Sequence, residues 1–89
     1  MEIVRIRDRE RELYIEHDGK EVIDYWGDLA LWDSISHYFE EEINIISGYE
    51  TNLMFVTTQK TLRKGDKLYI TAVLTELQRK GYEIQVISS

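Results

Sequence analysis

From residue 53 to residue 88 the chain reads strand, helix, strand, and that triplet restricts the folds open to it. Residues 53–58 are β-branched and apolar, the composition of a strand covered on both faces. In residues 66–80 the apolar Ile70, Val73, Leu74 and Leu77 recur at helical spacing. Asp66 is placed to cap the start of this helix and Gly81 to stop its end. Residues 82–87 alternate as a strand does. This order predicts a βαβ unit, with two parallel strands joined by a right-handed crossover.

The first half reads differently. Residues 3–7 form a strand pattern that continues as alternating arginines and acids, Arg5, Arg7, Arg9 and Arg11 against Asp8, Glu10 and Glu12. A turn at residues 8–10 converts that alternation into a cross-strand ladder of ion pairs. Residues 13–17 and 20–25 flank Asp18-Gly19, a hairpin signal. A two-residue turn sets Glu16 against Glu21, whereas a three-residue loop sets it against Lys20, so charge favours the longer loop. Gly27-Asp28 ends the strand and caps a helix over 29–42, with Leu31, Trp32, Ile35, Tyr38, Phe39 and Ile43 on one face. Residues 43–50 fit either a strand turning at Ser47-Gly48 or an apolar loop. The start of the second helix stays open between Thr61 and Asp66.

Together these elements predict one α+β domain over residues 1–89. Its order is β-β-β-α-β-α-β, in a mixed sheet with two helices mainly on one face. The 53–58 strand is expected at the centre and the hairpin strands toward an edge. Leu68, Tyr69 and Ala72 widen the apolar face of the second helix beyond one stripe, which points to contact on two sides.

Charge supplies the functional argument. The net −6 is unevenly distributed. Between Glu10 and Glu50 twelve acids face only Arg11 and Lys20; between Gln59 and Gly81 six bases face only Asp66 and Glu76. Glu40, Glu41 and Glu42 fall at the expected C-terminus of the first helix, where the dipole is already negative. A fold gains nothing from such a run. The expectation is a small, acidic, non-enzymatic protein-binding module of inhibitor or adaptor type. It presents Asp24, Asp28, Asp33, Glu40, Glu41 and Glu42 to a basic protein, one version being a mimic of nucleic-acid charge. A second copy of the chain is the other partner considered.

The alternative reading is anion binding, to a nucleotide or nucleic acid, through Lys60, Arg63, Lys64 and Lys67 ahead of the second helix. Gly65 followed by Asp66 is not a phosphate-binding P-loop. Asp33 and His37 stand four residues apart, but no nucleophile or third metal ligand stands at local spacing. His17 is expected at the surface beside its turn. No cofactor motif is present. The absence of cysteine and of a long apolar run suits a reducing, cytoplasmic setting away from membranes.

Overall fold

The computed structural model describes residues 1–50 and 54–89, with the backbone alone described at 47–50, 55 and 56. The elements run β1 (Glu2–Asp8), β2 (Arg11–His17), β3 (Val22–Gly27), α1 (Leu29–Ile35), a 3₁₀ turn (Ser36–Phe39), β4 (Ile43–Glu50), β5 (Phe55–Leu62), α2 (Tyr69–Arg79) and β6 (Glu83–Ser88). The α+β class and the order of strands and helices are as the sequence predicts. Residues 43–50, left open above, form a full strand that pairs past Ser47-Gly48.

The strand pairing differs from the expectation. One sheet has the order β3-β2-β1-β6, and β4 and β5 form a separate two-stranded ribbon. Every pairing is antiparallel. There is therefore no mixed sheet and no parallel pair across α2. The strand read over 53–58 runs over Phe55–Leu62 and is not central; Leu53 lies outside the described residues. Composition revealed apolar strands but not their neighbours. β5 pairs with β4, the strand before it in sequence. β6 instead lies along β1, with Val86 against Val4 and Ile84 against Ile6.

The first hairpin is local in the way the arginine–acid alternation suggested. The chain turns at Arg9-Glu10, with Arg9 at φ 60°. Arg7 then bonds Glu12, and Arg11 bonds Asp8 at 2.6 Å. In the second hairpin the loop is longer than either register considered above. It spans the four residues between His17 and Val22, and it sets Glu16 opposite Asp24. Asp18 holds it by accepting the N–H groups of Lys20 and Glu21, both at 2.9 Å. The loop is also anchored from afar. Gly65 N–H donates to the Lys20 carbonyl and Ile70 N–H to the Gly19 carbonyl, each at 3.0 Å. His17 is buried rather than exposed, because its ring belongs to this anchorage: Nδ1 accepts the Gly19 N–H, and Nε2 lies 3.0 Å from Glu2.

Both helices cover one face of the large sheet. Val4, Ile6, Leu13 and Ile15 alternate inward and pack with Leu31, Ile35, Phe39, Ile70, Val73 and Leu77. Asp28 caps α1 by accepting the Leu31 N–H at 3.0 Å. α1 gives way to the 3₁₀ turn at Ser36, earlier than the 29–42 span expected. α2 begins at Tyr69 because Leu68 adopts a left-handed conformation, φ 70°. Asp66 does not cap it; its carboxylate accepts the Arg63 N–H instead. Gly81 closes α2 as expected, with Gly81 N–H bonding the Gln78 carbonyl and Tyr82 N–H bonding that of Leu77.

Candidate functional site

The acidic and basic poles read from the sequence meet in space. Glu42 accepts from Arg63 at 2.8 Å, and Glu40 accepts from Lys64 at 3.0 Å. The Glu42 bond raises the Arg63 guanidinium further above its ordinary value. The glutamate run thus has a local partner, the bend after β5, and it begins beyond the 3₁₀ turn rather than inside a helix. Glu41 remains exposed, while its main-chain carbonyl accepts from the buried Tyr69 hydroxyl. Burial, reinforced by Glu40 and Glu41, pushes the Tyr69 phenol up. Of the four bases in the alternative reading, Arg63 and Lys64 are engaged in these pairs, and Lys60 and Lys67 stand exposed on either side.

The remaining acids fall elsewhere. Asp24 lies on β3, Asp28 caps α1, and Asp33 stands exposed on α1. Asp24 and Asp28 lie on and just beyond the outer strand of the large sheet. β3 pairs with β2 on one side and, among the described residues, with no strand on the other. It is a free edge.

That edge is unusually apolar. Ile23, Tyr25, Trp26 and Leu29 are all exposed; Trp26 keeps 42% and Leu29 59% of their surface open. The pleat sends them both ways. On the outer face Trp26 stacks beside Tyr14, ring centroids 5.8 Å apart and planes 6° from parallel. On the helix side Tyr25 stacks on Trp32 at 4.2 Å, and Trp32 on Phe39 at 5.8 Å. A small hollow of about 120 Å³ opens here between Val22, Ile23, Tyr25, Trp32 and the Glu40–Lys64 pair.

The charge on β3 itself is of one sign. Glu16 and Asp24 face each other across β2 and β3 with no cation bonded to either. Like charges in opposed positions cost about 0.2–1 kcal/mol, the size of the gain an opposite pair would bring. No Lys or Arg occurs between Lys20 and Lys60, so no cation on β3 itself deters another strand. The rest of the outer face is self-satisfied: Arg7 bonds Glu12 and lies 3.9 Å from Glu83, and Arg5 bonds Gln85. Arg7 holds the Glu12 carboxyl below its usual range.

Trp26 and the Glu16–Asp24 opposition were the features hardest to read from sequence. The signal was present in the alternation of β2, which puts Tyr14 and Glu16 outward once Leu13 and Ile15 point inward. Missing was the loop length that sets their partners on β3. His37 lies against Tyr38, ring centroids 4.1 Å apart and planes tilted by 36°, and makes no bond to Asp33. Among the described residues no group of three or more His, Asp or Glu side chains is placed to hold a metal. No helix there is long and apolar enough to cross a membrane. Neither a family model, nor a curated protein, nor a solved structure matches the chain.

Proposed function

We propose that the chain is a non-enzymatic protein-binding module that takes an extended, basic segment of its partner along the free edge of β3. The observation that carries this reading is the edge strand β3 together with the start of α1 beyond it. Ile23, Tyr25 and Trp26 on the strand and Leu29 at the helix start are exposed, Asp24 and Asp28 lie among them, and Glu16 opposes Asp24. Strand addition supplies affinity through main-chain bonds, and alternate side chains supply specificity. Tyr and Trp are the residues interfaces favour at their centres. A cation from the partner beside Asp24 relieves the Glu16–Asp24 repulsion and meets the Trp26 face.

This narrows the acidic surface expected from sequence. Asp24, Asp28 and Asp33 stay within it, while Glu40 and Glu42 are set aside because Lys64 and Arg63 already satisfy them. The same pairs leave the anion-binding alternative with Lys60 and Lys67 alone, and no observation favours it.

Affinity capture from the native extract, run beside Asp24→Lys and Trp26→Ser variants, tests the proposal. Recovery of a partner carrying a basic segment should drop at least tenfold in both variants and weaken with salt. Equal recovery by all three proteins removes the proposal. Loss in Glu40→Gln/Glu42→Gln but not in the β3 variants relocates the surface to the glutamate run.

A further inference from the structure

A further open edge lies on the ribbon. β4 has β5 on one side and no strand on the other among the described residues. Beside that edge runs a groove of about 330 Å³, walled by Ile43–Ile46 of β4 and by Leu68, Thr71, Ala72, Thr75 and Arg79 along α2. One wall is a strand edge, and the other is a helix side where Leu68, Thr71, Ala72 and Thr75 lead to the Glu76–Arg79 pair. The gap therefore has the form that one further strand fills, at the ~4.8 Å spacing of a sheet.

Two features of the groove make little sense in a lone chain. Ile46 keeps 71% of its surface exposed and Leu68 keeps 60%. Leu68 is also held in the left-handed conformation, which costs a non-glycine residue about 1–3 kcal/mol.

Charge identifies the occupant. Between Glu42 and Arg63 only Glu50 and Lys60 are charged, so the ribbon is neutral in a chain of net −6. At the groove wall Arg79 is paired with Glu76 at 3.3 Å. A basic partner gains nothing from such a surface, and an acidic one is not repelled. It is the place where two copies of an acidic chain can meet without opposing like charges. We infer that β4 pairs antiparallel with β4 of a second copy about a twofold axis. The result is a four-stranded sheet, β5-β4-β4-β5, with both α2 helices on one side of it. A twofold axis normal to the ribbon keeps the inward faces of both copies on the same side. Ile43 and Ile45 of each copy then lie toward the Leu68, Ala72 and Thr75 side of the other's helix. The contact is isologous and closes as a dimer rather than growing into a fibre.

Sedimentation equilibrium of the full chain, with Ile46→Lys and Thr75→Arg variants, decides the matter. Both substitutions fall at exposed positions, and a circular dichroism melt checks that each variant folds. The expected result is a dimer for the parent chain and at least tenfold weaker self-association for each folded variant. Trp26→Ser should leave the dimer intact, which separates this interface from the β3 edge. A parent chain that stays monomeric at millimolar concentration overturns the inference. So does a dimer unaffected by Thr75→Arg, or one dissolved by Trp26→Ser alone.

Discussion

The large sheet and the ribbon are built from similar strands and held in opposite ways. In the sheet, β1 and β2 are flanked on both sides, and their inward residues Val4, Ile6, Leu13 and Ile15 are fully buried under two helices. Register is fixed by Arg7–Glu12 on the outer face and by Asp8–Arg11 at the turn on the other. The ribbon has two strands of eight residues and almost no charge. Its described contacts with the body centre on Ile43, Ile45 and Leu62, at the end nearest α2. It contributes to the molecule's elongation, 50 Å by 26 Å by 24 Å. One region is specified by its own chain. The other is left with a surface that calls for a neighbour.

The largest effect that sharpens this contrast is in the sheet. Leu13→Ala should cost about 2–5 kcal/mol by urea denaturation, since it empties a fully buried site between the hairpin and α1. Ile46→Ala on the ribbon should change the stability of the monomer by about 0.5 kcal/mol or less. Similar losses at the two sites break the comparison. Next is Gly27→Ala at the end of β3. Gly27 has φ 110°, and an added Cβ meets the Glu12 carbonyl oxygen at 2.7 Å. The strain should cost about 1–3 kcal/mol.

Tyr69→Phe should cost about 0.5–1.5 kcal/mol, because its hydroxyl bonds the Tyr38 and Glu41 carbonyls beneath the start of β4. It also carries a pH signature. The folded phenol titrates above its ordinary value of about 10, so its contribution is complete below that pH. The contribution is lost as pH rises from there through the folded value. Denaturation midpoints measured from pH 8 upward should fall less steeply for Tyr69→Phe than for the parent.

The smallest effects are at the surface pairs. Glu12 is depressed by Arg7, so its contribution is present above the usual glutamate range and lost as pH falls through the folded value. Glu12→Gln should flatten the acid limb of the stability curve slightly. Glu42→Gln, which breaks the pair with Arg63, should have less effect than any substitution above and none at high salt. Hydrogen exchange compares the two regions directly. The β1 and β2 amides should exchange only with global unfolding, and those of β4 and β5 sooner in dilute solution.

What was legible in the chain was whatever depends on neighbours in sequence. The period of α2, its Gly81 stop, the Asp28 cap and the arginine–acid ladder of the first hairpin all rest on contacts within a few residues. Pairing was not legible, because an apolar strand shows that it is buried or covered without showing by what. The β2–β3 loop shows the same limit. Local charge argued for three residues, yet bonds from Gly65 and Ile70, far along the chain, hold it at four. The closeness of the two charge poles was not legible for a related reason. Glu40 and Lys64 are far apart in sequence and 3.0 Å apart in space. At the β3 edge, composition named Asp24 and Asp28, and only the fold showed Tyr25, Trp26 and Leu29 exposed beside them.

The pairing of β6 with β1 also bears on how the protein is made. Arg5 and Gln85 bond across 80 positions of sequence, so β1 waits for β6 before its outer side is covered. The second flank of β1 closes late, and loop closure of this span slows folding. A nascent chain therefore carries a bare apolar margin until β6 arrives, and it is in that interval that a chaperone has something to hold.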